Sequence, residues 1–166
     1  MSFQKFIVRS LLKLPDSILV KMSGGKPFAI DGRILDARAQ LLAVQGARQP
    51  SITTLDPVTA RSATSAGLAL LDDAPRATVE IRDLTVPGPG GPLDARLYRP
   101  RGNAEALPGL VFFHFGGCVI GDLDTCHVFC SMISEIANCA VLNVAYRLAP
   151  EHKFPAPADD AVAAYR

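Results

Sequence analysis

The chain has almost no imbalance of charge: 17 lysines and arginines stand against 16 aspartates and glutamates over 166 residues, a net charge of +1. A nucleic-acid-binding arm needs a basic excess, so that class is excluded as the main activity. Long apolar runs are also missing. No segment reaches the roughly 18 uninterrupted apolar residues of a membrane-spanning helix. Near the start, Lys5, Arg9, Lys13 and Lys21 interrupt Phe3, Phe6, Ile7, Val8, Leu11, Leu12 and Leu14 too often for the apolar core of a signal peptide. The expected compartment is therefore the cytoplasm. Cysteine is sparse and confined to the last third, as Cys118, Cys126, Cys130 and Cys139. A chain of this size with a large core needs no disulfide staples, so the four are expected to be reduced thiols. What is plentiful is apolar side chain, 49% of residues, which excludes intrinsic disorder and fits one domain of ordinary size.

The charges are shared unevenly. Residues 1–50 hold eight basic and three acidic side chains, a balance of +5, and residues 51–166 hold nine and thirteen, a balance of −4. In the first stretch Phe3, Phe6, Ile7, Leu11 and Leu14 recur at three- and four-residue steps, which predicts an amphipathic helix. A second helix is expected from Asp31, as N-cap, to Gln49, with Pro50 beyond it, and a third from Asp56-Pro57. No strand is expected before Pro75, which makes residues 1–75 a helical region. After it the period changes to short β runs, so residues 76–166 read as an α/β region. Thr78–Val86 and Leu93–Arg99 flank a Pro- and Gly-rich loop and read as a hairpin. Leu110–Phe113 reads as a strand buried on both faces, followed by a helix over 124–137 and a second apolar run over 139–145. That order predicts a βαβ crossover in a parallel sheet. A last helix is expected with Asp159 and Asp160 in its first turn.

The chemistry concentrates where Leu110–Phe113 ends, in His114-Phe115-Gly116-Gly117-Cys118-Val119-Ile120-Gly121-Asp122-Leu123-Asp124-Thr125. Paired glycines at the end of a strand adopt backbone angles closed to other residues and turn successive N–H groups toward one point. Such a pair suits an oxyanion hole, in which preorganised donors meet the oxygen that gains charge during acyl transfer. A tight turn with no chemistry explains the two glycines equally simply.

Further on stand Val144-Ala145-Tyr146-Arg147-Leu148-Ala149-Pro150-Glu151-His152, then Phe154-Pro155-Ala156 and Asp159-Asp160. Together with the His-x-Gly-Gly loop, this segment resembles the hormone-sensitive-lipase-like family of α/β-hydrolases. That family's pattern has His-Gly-Gly-Gly after the third strand and Tyr-Arg-Leu-Ala-Pro-Glu after the fourth. The resemblance is strong from Val111 to Asp160, fits residues 77–110 as the opening antiparallel strands, and covers residues 1–75 only in kind, as a helical cap. It implies an α/β-hydrolase fold, mostly parallel with antiparallel first strands, and a serine carboxylesterase or lipase acting on a small-molecule ester without metal or organic cofactor. Gly116 and Gly117 would then supply the oxyanion-hole N–H groups, His114 would order the loop, and Cys118 would line the pocket. Phe115 departs from the pattern, replacing the first glycine of the triplet; it either crowds the turn or forms an apolar wall of the acyl pocket. Arg147 and Glu151 are expected to pair as a scaffold.

A second departure is larger. The family's nucleophile elbow, G-x-S-x-G, followed by an acid and a histidine, has no match in these residues. The resemblance therefore implies a chain truncated before the elbow. Ala63-Thr64-Ser65-Ala66-Gly67 is the nearest imitation, and it lies upstream of every expected strand. Other clusters have simpler readings. Cys126 and Cys130, at i and i+4, read as buried thiols rather than metal ligands, and Asp122 and Asp124 as N-cap and first-turn charges. The basic face of the first helix reads as the solvated face of a cap element or as a contact for anionic lipid. Two functions follow from the sequence: part of an ester hydrolase, inactive without its triad, or a non-catalytic remnant or small-ligand-binding module of the same fold.

Overall fold

A computed structural model describes residues 3–103 and 105–166. The chain folds as two compact units, one running to Asp56 and including Ala69–Leu71, the other comprising Pro57–Leu68 and Asp72–Arg166.

In the first unit the opening amphipathic pattern forms α1 (Phe3–Leu11). It is followed by α2 (Asp16–Met22), a two-stranded hairpin of β1 (Ala29–Ile30) and β2 (Arg33–Ile34), and α3 (Ala37–Gly46). The hairpin corrects two expectations, that this stretch holds no strand and that Asp31 caps a helix. Asp31 and Gly32 take φ of 51° and 76°, the paired positive angles that close a two-residue hairpin. Asp36 caps α3 instead, its carboxylate accepting from the Arg38 and Ala39 N–H groups at 2.8 and 3.2 Å. Leu19, Ala37 and Leu41 form the small core, with Leu11, Leu12, Leu14 and Val20 packed against it. Gln40, fully buried, accepts from the Phe28 N–H and donates to the Ser23 hydroxyl and the Lys26 carbonyl, so it ties the loop before the hairpin to α2 and α3.

The second unit begins with the first twelve residues, Pro57–Leu68, of α4 (Pro57–Leu71), which starts at the expected Asp56-Pro57. Strands β3 (Val79–Val86), β4 (Leu93–Pro100), β5 (Gly109–Phe113) and β6 (Ala140–Val144) form one sheet in the order β3-β4-β6-β5. The first two strands pair antiparallel from Val79↔Pro100 to Val86↔Leu93, and β5 and β6 pair parallel across the crossover helix α5 (His127–Ala137). Helix α6 (Ala156–Tyr165) ends the unit. Alternation along the strands separates two cores. Val79, Tyr98 and Val141 face Cys126 and Cys130, while Leu93, Ala95 and Val144 face the side on which Ala164 of α6 packs. One burial expectation is corrected: within the described residues β5 is only partly covered, and Leu110 keeps 37% of its surface exposed. Among the described residues no helix is long and apolar enough to cross a membrane.

The acidic pair of α6 is split. Asp159 stays in the first turn, but Asp160 is fully buried. Its carboxylate accepts from the Arg147 backbone N–H at 2.9 Å and from the Arg147 guanidinium, Nη2 to Oδ1 at 2.7 Å and Nε to Oδ2 at 2.9 Å. Burial pushes the carboxyl up, but the hydrogen bonds from Arg147 outweigh it and hold the group below the usual carboxylate range. Asp160→Asn should therefore cost about 1–3 kcal/mol, read as a lower urea midpoint, because the amide cannot accept at both ends of its fork. Asp159→Asn should stay within about 0.5 kcal/mol of the parent.

Candidate active site

The loop from β5 to α5 holds its shape through three successive positive φ angles: 129° at Gly116, 60° at Gly117 and 59° at Cys118. At Gly116 a side chain is impossible, because a Cβ would lie 2.0 Å from the Ile120 carbonyl oxygen. The close approach arises because the Val119 and Ile120 N–H groups both fold back to donate to the Gly116 carbonyl at 3.1 Å. The Gly116 and Gly117 N–H groups themselves find no acceptor among the described residues. Phe115 takes no positive φ, so its bulk causes no left-handed strain.

His114 is buried under the loop and stacks on Tyr146, with ring centroids 4.4 Å apart and planes 18° from parallel. Its Nδ1 lies 3.0 Å from the Phe115 carbonyl oxygen, an acceptor only, so that nitrogen carries the proton. The Tyr146 hydroxyl donates to the His114 carbonyl at 2.7 Å. Burial draws the His114 imidazole below its ordinary value and pushes the Tyr146 phenol up to about 12, so both are neutral. Gly121, at φ 100°, leaves room for the ring, since a Cβ there would lie 2.3 Å from His114 Nδ1.

An apolar cavity of about 550 Å³ lies beside Gly117, lined by Phe113, Cys118, Tyr146, Phe154 and Ala161 among others. The structure thus brings Gly117 and Cys118 to one cavity, with His114 behind them. Phe115 is 55% exposed and does not line it. Cys118 is exposed, while the other three cysteines are buried.

The Tyr-Arg-Leu-Ala-Pro-Glu segment is anchored differently from expectation. Arg147 pairs with Asp160, as described, and Glu151 pairs with Arg61 of α4. The Arg61 guanidinium donates to both Glu151 oxygens at 2.7 and 2.8 Å, to the Ala149 carbonyl at 2.8 Å and, through Nε, to the Val119 carbonyl at 2.8 Å. The hydrogen bond from Arg61 holds the Glu151 carboxyl down to about 2. Asp122 closes the turn before α5 by accepting from the Asp124 and Thr125 N–H groups at 3.0 and 2.8 Å, and Asp124 pairs with Arg96. Neither is the cap of α5, which starts at His127 after Cys126. Ser65 donates to Asp122 at 3.2 Å with no imidazole between them.

His127 sits elsewhere, on the α5 side of the sheet. Its Nδ1 lies 2.8 Å from the Tyr98 hydroxyl and 3.2 Å from Arg96 Nη1; the guanidinium can only donate, so Nδ1 accepts. Burial and then Arg96 draw His127 below its ordinary value. Burial also pushes the Cys126 and Cys130 thiols up, Cys130 to about 12, which keeps both protonated. No group of three metal-ligating side chains occurs among the described residues. The sequence reading missed Arg61, Tyr146 and Gly121 as parts of the site. Tyr146 and Gly121 lie inside the stretches that carry the resemblance, whereas nothing local marks Arg61.

Residues 110–166 match the family model described as alpha/beta hydrolase fold. The chain is 40% identical over 147 residues, 87% of its length, to carboxylic ester hydrolase LipN of Mycobacterium tuberculosis. It is 47% identical over 103 residues, 58% of its length, to esterase LipI of the same organism. These matches take up 39% and 32% of the relatives' own lengths, so the chain spans at most about two fifths of either. Among solved structures, it resembles an ester-hydrolase from the metagenome of Lake Arreo with a TM-score of 0.69 and 35% identity, covering 77% of this chain and 41% of that one. It also resembles the Pyrobaculum calidifontis esterase, with a TM-score of 0.61 and 38% identity, covering 68% of this chain and 37% of that one.

Two outcomes follow from the buried histidines and the loop. A histidine in the unfolded chain titrates near 6.5, so below about that pH the unfolded state takes up protons that folded His114 and His127 refuse. Stability from this source is complete above about pH 6.5 and lost as the pH falls, so the thermal midpoint should drop between about pH 7 and 5, and less so in His127→Gln. Gly121→Ala should cost about 1–3 kcal/mol in urea unfolding, through positive φ and displacement of His114.

Proposed function

The chain belongs to the hormone-sensitive-lipase-like family of α/β-hydrolases, and from that premise we propose that it builds the oxyanion-hole side of a carboxylic ester hydrolase's active site. The observation that carries this reading is the pair of unaccepted N–H groups at Gly116 and Gly117 beside an apolar cavity. When a serine attacks an ester carbonyl, the oxygen becomes an alkoxide, and two fixed donors stabilise it more than they stabilise the ground-state carbonyl. The alkoxide then collapses, expels the alcohol and leaves an acyl-serine, which water hydrolyses through a second intermediate held by the same donors. His114 keeps the loop in place and takes no proton from substrate. The apolar lining, Cys118 included, suits an uncharged acyl or alcohol group.

In this reading the serine, acid and base lie outside these 166 residues, and residues 1–75 serve as a cap. The test uses a p-nitrophenyl butyrate assay on the chain alone and on the chain joined in frame to the part of LipN that follows the matched region. The chain alone should give no turnover and the fusion should hydrolyse the ester. In the fusion, Gly116→Ala keeps the N–H but forces the loop away from Ile120 and misdirects the donor, so kcat should fall by about 10²–10³-fold, as when one oxyanion donor is lost. Turnover by the chain alone would refute the placement of the nucleophile. A folded fusion without turnover would refute the oxyanion role.

A further inference from the structure

The guanidinium of Arg61 uses four N–H donations on three residues of two separate segments, the glycine loop and the stretch after β6. A simple ion pair would need only Glu151. Here Nε is directed to the carbonyl of Val119, two residues beyond Gly117, and Nη2 is shared between Glu151 and the carbonyl of Ala149. Ala149 in turn donates its own N–H to the Cys118 carbonyl at 2.8 Å. Arg61 therefore grips the loop twice, directly at Val119 and through Ala149 at Cys118. Val119 is not free to move alone, because its N–H closes on the Gly116 carbonyl, so a shift of its peptide turns the Gly116–Gly117 backbone with it. One turn along the same face of α4, Ser65 holds Asp122 at the far end of the loop.

We propose that Arg61 is a positioning residue for the oxyanion loop, fixing the direction in which the Gly116 and Gly117 N–H groups point. The proposal rests on the oxyanion reading given above for its catalytic consequence, but not for its geometric one. A planar fork of donors is what the arrangement requires. Lysine, with one compact ammonium, reaches Glu151 or a carbonyl but not all three acceptor residues, so the two basic residues are not equivalent here.

The experiment compares Arg61→Lys and Arg61→Gln with the parent in the LipN fusion, by two readouts. The first is the amide signals of Gly116 and Gly117 in protein labelled with [15N]glycine, with Gly109 at the start of β5 as a reference in the sheet. Both variants should shift the two loop signals and leave Gly109 unchanged. The second is ester turnover, where kcat should fall about 10- to 100-fold with KM within about twofold, as expected for misplaced catalytic groups. Arg61→Lys keeps the charge and a partner for Glu151, so it tests the proposal even if Arg61→Gln fails to fold. Unmoved Gly116 and Gly117 signals in folded Arg61→Lys would overturn the proposal, as would a kcat equal to that of the parent. An inactive parent fusion whose loop signals still respond to Arg61→Lys would refute the ester-hydrolase reading and leave the positioning role standing.

Discussion

Asp160 has no exposed surface, and an ionised carboxylate so placed costs several kcal/mol unless its lone pairs are met by charged donors. Arg147 meets them with its guanidinium and its backbone N–H together. Using the backbone matters more than the charge alone, because it fixes the main chain just after β6 and not merely a side chain. Tyr146, Ala149 and Glu151 follow from that fixed point, and each holds part of the loop that carries the glycines. The His114 stack, the hydrogen bond to Cys118 and the pairing with Arg61 are all reached through this one segment.

Other ion pairs do less. Those of the first unit, such as Arg38 with Asp16 and Asp36 and Arg33 with Asp31, are largely exposed, and such pairs contribute about 0–1 kcal/mol. Arg96 lies between Asp83 and Asp124 with most of its side chain covered, and it organises the start of α5 more firmly. After burial, its presence beside His127 is the second reason that imidazole stays neutral. A cation at 3.2 Å opposes a second one, and burial acts in the same direction.

Much of the second unit was legible before the structure. The β3–β4 hairpin, α5 and β6 announce themselves by alternation, apolar runs and helical spacing, which are local signals of burial. What was not legible is pairwise and distant. The apolar run Leu110–Phe113 does not show how far its residues are covered, so the partial exposure of β5 was invisible. Glu151 was assigned to Arg147, four residues away, when its partner is Arg61, ninety residues away in sequence. Asp159 and Asp160 look alike as letters, and only the placement of Arg147 separates the exposed one from the buried one. In the first unit, Asp31 followed by glycine carried both a cap signal and a hairpin signal; the short strands around it were too brief for alternation to decide. Within the candidate site, the glycines and His114 were readable from their order after a strand. The posture of Phe115 was not, because it depends on a φ angle that sequence does not reveal.

Cys118 combines two properties described above: a left-handed backbone angle in the glycine loop and an exposed thiol among three buried ones. The consequence is a built-in address for chemical labelling. Of the four cysteines in these residues, a maleimide-linked fluorophore or spin label would reach Cys118, a residue away from Gly117. The loop that the rest of the unit is arranged to hold still is also the place where its stillness can be watched.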